Sequence, residues 1–318
     1  MATEGRIDVH QHLIPTRYRR ALDERGLTAG GWPTPDWDPD AALAMMDRRG
    51  IATGVLSISA PGVHFGDDAQ ARELARAVNE ECAELVRAHP DRFGQFAVLT
   101  LPDVEGAVAE AVHALDVLGA DGVSLLSNAG GAYLGDPSLD PLWEVLDERA
   151  AVVFVHPTVP PGLPMLPGLP SPLLDFPFDT TRAALQMAAR KVLARHPRVR
   201  VILSHAGGFV PFVASRLAGA AQLVEGITED DILDELRSFY VDTALSSAPS
   251  ALPSITAFLR PGHLLYGSDS PFAPDSWSAR FDHVLDEALG AGDPVLAGVD
   301  RANAEALLPR LRVGPATA

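Results

Sequence analysis

Short β-branched apolar runs alternate with longer amphipathic stretches from one end of the chain to the other. A strand buried on both faces of a parallel sheet reads as a continuous apolar run, whereas a helix covering it repeats apolar residues at spacings of three and four. On that criterion strands are predicted at 6–12, 53–59, 93–100, 122–126, 152–156, 199–204, 239–242 and 263–266. Between them lie the helical patterns DPDAALAMMDRRG, DDAQARELARAVNEECAELVRAHP, VEGAVAEAVHALDVLG, LDPLWEVLDERA, TTRAALQMAARKVLARHP and SARFDHVLDEALG. The first carries its own punctuation, with Asp38 as N-cap, Pro39 at the first helical position and Gly50 as the stop. Eight strand–helix units with no linker-like break predict a (β/α)₈ TIM barrel, an α/β fold filling 1–318 as one domain. An open doubly wound sheet is the alternative, and no glycine-rich phosphate loop follows an early strand to support it.

Charge narrows the partners. Lys and Arg number 25 against 42 Asp and Glu, a net −17. So acidic a surface repels phosphate backbones and anionic headgroups, which argues against nucleic acid and membrane surfaces. Residues 150–174 carry no charge, yet seven prolines between Pro157 and Pro172 rule out a membrane helix there. The opening MATEGRIDVHQH has no basic segment leading into an apolar run, so a cytoplasmic location is expected. Cys82 is the sole cysteine, which excludes an intrachain disulfide and a cysteine zinc site. It repeats with Leu74, Val78 and Leu85 at helical spacing and reads as core.

In a barrel of this kind chemistry sits at the C-terminal ends of the strands. The first strand reads Ile7-Asp8-Val9-His10-Gln11-His12, and strict alternation would put Asp8, His10 and His12 on one face. Alone, a His-x-His reads equally as a metal pair or as two hydrogen-bonded histidines. Three further strand ends change the balance: His156 after AVVFV, His205 after VRVILS, and Asp269 in LLYGSDSPF. Imidazoles and a carboxylate gathered on one rim are costly to desolvate unless they share a cation. His64, His89, His113, His196, His263 and His283 fall in helices, in loops or at the opposite end and read as surface or capping residues. The loop PTVPPGLPMLPGLPSP overhangs the rim, either as a stiff surface connection or as an apolar lid with Leu163, Met165, Leu166 and Leu169. Asn128, beyond the fourth strand, is a candidate substrate contact.

The D-x-H-x-H, VHP, SHAGG and GSDSPF motifs, with WDPDAALAMMDRRGI (37–51), HPDRF (89–93) and DFPFDTTRAA (175–184), resemble the amidohydrolase superfamily over nearly the whole chain. The resemblance is closest to the subgroup of aminocarboxymuconate-semialdehyde decarboxylase and the 6-methylsalicylate and resorcylate decarboxylases. It implies that His10, His12, His156 and Asp269 hold one divalent ion, Zn²⁺ or alternatively Mn²⁺. It implies that His205 acts on the metal-bound water or the substrate, and that His205 or Asp269 is the proton donor. Arg216 matches an arginine that reaches a substrate carboxylate, in some members across a dimer interface, so a homodimer is expected. Phe272 matches an aromatic pocket wall, and Asp8 matches the motif's first acid, supporting the ligands or occasionally joining them. Two-metal members bridge their ions with a carboxylated lysine at the end of the fourth strand. Here that strand ends GVSLLSN and the only lysine is Lys191, which excludes a lysine-bridged pair.

One departure concerns the substrate. The semialdehyde decarboxylase has a carboxylate-binding arginine before WDP, and this chain has no arginine between Arg25 and Arg48. The implied activity is metal-dependent decarboxylation of a small aromatic or unsaturated acid with one carboxylate, such as a salicylate. The same residues support hydrolysis of an amide or lactone by a metal-bound hydroxide. A barrel that keeps the metal and has lost catalysis is the third reading, and retention of His205 beside four ligands argues against it.

Overall fold

Eight parallel strands pair in chain order, each with the next: β1 (Arg6–His12), β2 (Ile51–Ser57), β3 (Phe93–Val98), β4 (Gly122–Leu126), β5 (Val152–His156), β6 (Arg200–Leu203), β7 (Tyr240–Asp242) and β8 (Leu264–Leu265). The computed structural model describes residues 5–290 and 292–312. The segment around β8 closes on β1, with the Val9 amide donating to the Tyr266 carbonyl at 3.0 Å and the Asp269 amide to the His10 carbonyl at 2.8 Å. The closed (β/α)₈ barrel is therefore the architecture, and the open sheet is excluded. All eight predicted strands form, each within two residues of its expected start.

The interior is filled from alternate positions, as a barrel of eight strands requires. Ile7, Val9, Val55, Phe96, Val152, Phe154, Ile202 and Leu265 form the apolar filling, closed by Leu308 and Leu311 near the C-terminus. The Phe96 and Phe154 rings stack at 5.5 Å. A second, larger core lies between the strands and the helices; Cys82 is buried there, as its spacing implied.

One predicted feature of β1 is corrected. The register runs Asp8 to Gly54 and then Gln11 to Leu56, so β1 carries one extra residue between Asp8 and Gln11. Such a bulge reverses the alternation of side chains beyond it. Ile7 and Val9 therefore point into the barrel together with His10 and His12, while Asp8 and Gln11 point outward. Gly54 is glycine because a Cβ there would lie against the Gln11 side-chain oxygen.

The predicted helix over TTRAALQMAARKVLARHP is also interrupted. It forms as Asp175–Ala189 and Val192–Arg195, broken at Lys191, whose φ is +51°. The buried Glu235 carboxylate accepts the amides of Leu193 and Ala194 and so caps the second piece. The helix Pro39–Arg49 forms as expected, with the Asp38 carboxylate accepting the Ala41 amide at 2.8 Å and Gly50 left-handed at φ +68°. Helices not predicted from the pattern include Thr16–Asp23, Val210–Ala218 and Glu229–Ser238. Among the described residues no helix is long and apolar enough to cross a membrane.

Candidate metal centre

His10 and His12 on β1, His156 ending β5 and Asp269 following β8 bring one ligand atom each within 4.8 Å of one another. His10 Nε2 lies 3.1 Å from His12 Nε2, and Asp269 Oδ1 lies 3.3 and 3.2 Å from these two nitrogens. The four side chains are buried. Each imidazole has its other nitrogen against an acceptor: His10 Nδ1 on Asp242 Oδ2 at 2.9 Å, His12 Nδ1 on the Ser57 carbonyl at 3.2 Å, and His156 Nδ1 on the Pro157 carbonyl at 2.8 Å. An acceptor at Nδ1 requires a proton there and leaves the lone pair on Nε2. Three lone pairs and one carboxylate oxygen thus converge on a point without a donor, and a divalent cation satisfies all four.

The electrostatics agree. Burial pushes the His10 imidazolium down, but Asp242 and Asp269 outweigh it and carry it up to about 10, so this point attracts positive charge. Burial lowers His12, and burial with the neighbouring His12 and His10 holds His156 well below the usual imidazole range. Both are therefore neutral and free to donate lone pairs. Burial works against ionised Asp269, yet the adjoining His10, His12 and His205 hold it well below the usual carboxylate range. The single lysine pairs with Asp231 at 3.3 Å and takes no part in the cluster, so one ion is what these ligands fit.

His205 follows β6 and borders the same cavity without joining the ligand group. It adopts φ +53°, and its Nδ1 lies 3.1 Å from the Ala244 carbonyl, which keeps the proton on Nδ1 and the lone pair on Nε2. The cavity holds about 250 Å³ above His156, His205 and Asp269, with Trp32, Phe176, Phe272, Trp277 and Phe281 in its walls. Among the described residues no arginine or lysine lines it. Phe272 packs edge-on against His12 at 5.2 Å between ring centres.

Asp8, Asn128 and Arg216 lie outside the lining of this cavity. Asp8 is not among the ligands: beneath the bulge, its Oδ1 accepts the amides of His10 and Ser268, both at 3.0 Å. Burial, only partly offset by the Ser268 hydrogen bond and by Arg49, raises its carboxyl to about 6. Asn128 does not line the cavity, because its amide is spent on Asp179 Oδ2 at 2.8 Å and the Val159 carbonyl at 3.1 Å, tying down the loop after β5. Arg216 stands exposed on the outer side of the helix Val210–Ala218 and does not reach the cavity of its own chain. In the loop after β5, Leu163, Met165, Leu166 and Leu169 are exposed, and Pro172 and Leu173 at its end supply the wall instead.

The pattern reading passed over Asp242, Ser59 and most of the aromatic wall. Asp242 could have been found by the rule applied to His156 and His205, since YVD is an apolar strand ending in a polar residue. Trp32 comes from the 26–37 segment and offers no such signal.

The family model for amidohydrolases matches residues 7–310. The chain belongs to the amidohydrolase family. Within it, the 6-methylsalicylic acid decarboxylase acuB of Aspergillus aculeatus is 39% identical, over 96% of this chain and 97% of that protein. A solved amidohydrolase II superposes with a TM-score of 0.90 at 36% identity, covering 96% of this chain and 99% of its own. The fold is shared with a dihydroxybenzoic acid decarboxylase from Polaromonas sp. JS666, solved with bound manganese and 2-nitroresorcinol (TM-score 0.78, 23% identity, 97% and 98% covered).

Proposed function

We propose that this amidohydrolase is a metal-dependent decarboxylase of a small aromatic acid bearing a single carboxylate. The observation that carries the reading is the composition of the cavity: a three-histidine, one-aspartate cluster and His205 at its floor, aromatic rings around it, and no cationic side chain in its walls. A second carboxylate would find no cationic side chain in the walls that its own chain supplies, and burying it unpaired is costly. The segment that would bring an arginine into the semialdehyde decarboxylase contributes Trp32 here.

A divalent ion held by His10, His12, His156 and Asp269 would supply Lewis-acid charge to orient and polarise the acid's oxygens. Three imidazole nitrogens suit a borderline ion such as Zn²⁺, and the Polaromonas relative holds manganese. Trp32, Phe176 and Phe272 hold the ring and exclude water. The bond from ring carbon to carboxylate breaks, CO₂ leaves, and the electron pair stays on the ring carbon, which takes a proton. His205 Nε2 and Asp269 are the cavity groups placed to relay it, each taking the proton up from water before passing it to the ring carbon, and His205→Asn separates their roles. The test is incubation of metal-loaded protein with salicylate-type acids. Release of CO₂ with the matching phenol is expected, whereas turnover of lactones or amides with no CO₂ would overturn the reading.

The same reading makes the protein a homodimer in which Arg216 reaches the partner's cavity. Its support is local: Arg216 is exposed one helical turn beyond Phe212, which is itself 82% exposed.

A further inference from the structure

Asp242 ends β7 and lies outside the ligand cluster, yet its fully buried carboxylate touches both the ligand His10 and His205. The two oxygens divide the work. Oδ2 faces His10 Nδ1 at 2.9 Å, and Oδ1 accepts the amides of His205 at 3.0 Å and Ala244 at 2.9 Å. The Ala244 carbonyl in turn lies 3.1 Å from His205 Nδ1, which closes a circuit through backbone and ring. The strand segment at Gly267 passes so close that a Cβ there would lie 3.0 Å from Asp242 Cγ and 2.9 Å from His10 Cβ, so glycine is what lets this pair meet.

We propose that Asp242 is a positioning residue that ties the ligand His10 to His205, setting the tautomer of one and the ring and backbone of the other. The inference rests on the metal reading of the cluster given above. His12 and His156 have their tautomers set by backbone carbonyls, which no substitution removes. His10 alone depends on a side chain. A carboxylate oxygen only accepts, so it keeps the proton on Nδ1 and the lone pair on Nε2. His205 holds a left-handed backbone that costs energy for a residue with a Cβ, and the Asp242 oxygen on its amide is part of what retains it.

Asp242→Asn makes the argument testable, because it keeps the shape and changes one atom's role. The two backbone amides are donors and claim the amide oxygen, which turns the NH₂ group towards His10 Nδ1. His10 must then accept at Nδ1 and carry its proton on Nε2, where the ion should bind. The expected result is a folded variant whose affinity for Zn²⁺ alone, measured by chelator competition, falls 10- to 100-fold. At saturating metal kcat falls while KM for the acid stays near wild type, since the cavity walls are untouched. Wild-type ion affinity in this variant, or an affinity loss that merely tracks loss of folded protein by circular dichroism, would overturn the role of Asp242. Should the variant fail to fold, ¹⁵N-histidine spectra of Zn²⁺-loaded wild type decide the matter. They are expected to show a protected, downfield proton on His10 Nδ1, and its absence would overturn the inference. Wild-type protein that binds no Zn²⁺ would instead defeat the metal reading, and this inference with it.

Discussion

Gly30 stands where a Cβ would lie 2.7 Å from Phe272 Cδ1, so the loop before the first long helix and the loop after β8 meet with no room for a side chain. Phe272 is also the ring packed on His12, and Gly30 has φ +64°.

Gly30→Ala is therefore expected to act twice. The left-handed backbone costs about 1 kcal/mol of stability for a residue with a Cβ. The added carbon displaces Phe272 towards the cavity, and kcat/KM for the aromatic acid should fall on the order of 10- to 100-fold, the scale of a misplacement near 1 Å. Bound metal should stay at the wild-type level. Steady-state kinetics beside metal analysis check both halves, and unchanged kinetics would remove Phe272 from the substrate wall.

Stripping the ion with a chelator should abolish activity and lower Tm, because a ligand bound only by the folded state at 1,000 times its Kd adds about 4 kcal/mol. Returning Zn²⁺ or Mn²⁺ should restore both. Metal analysis should give one ion per chain, since the ligand set is three imidazoles and Asp269 with no lysine near it. Two ions per chain would contradict this geometry. His156→Ala should lose the ion while leaving Cys82 and the outer core undisturbed.

Arg216 gives a test of composite sites. If it serves the partner's cavity, Arg216→Ala raises KM for the acid roughly tenfold, the scale of one lost charge-assisted hydrogen bond. Mixing that variant with inactive His205→Ala should then regenerate one intact site per mixed dimer. Recovered kcat/KM on mixing is the readout. Failure to recover it, or a monomer by light scattering, would leave Arg216 without a role in binding.

Asp103 provides the pH dependence. Its carboxylate accepts two hydrogen bonds from Arg72, at 2.6 and 2.8 Å, and caps the helix Val104–His113 by accepting the Gly106 amide at 3.0 Å. The Arg72 hydrogen bonds hold the Asp103 carboxyl below its ordinary value, outweighing burial. A folded-state value below the unfolded one means stability that is fully present above about pH 4 and lost as pH falls through the folded value. Asp103→Ala should lower stability by about 1 kcal/mol at pH 7 from the cap alone, and the gap to wild type should narrow on acidification. Urea unfolding at pH 7 and at pH 3 measures it, and a gap independent of pH would show that the charge contributes nothing.

The order and nature of the barrel were legible because strand and helix differ in the period of their apolar residues, and period is a property of the chain alone. His10, His12, His156, His205 and Asp269 were legible for a related reason: in a barrel, a polar residue at the end of a buried strand has few places to go except the rim. What periodicity cannot register is a single-residue break in it. The bulge between Asp8 and Gln11 costs one residue of register, yet it alone turns Asp8 away from the ligands and lets Val9 and His10 both face inward. The left-handed Lys191 that divides a predicted helix is a local event of the same kind, stabilised by Glu235 from another helix. The Asp242–His10 pairing and the Gly30–Phe272 contact belong only to the tertiary structure, because each joins groups more than 200 residues apart whose meeting depends on closure of the barrel. Chemistry-bearing residue types were thus written along the strands. Which of them share a proton, a ligand or a wall was decided by the packing that brought the strand ends together.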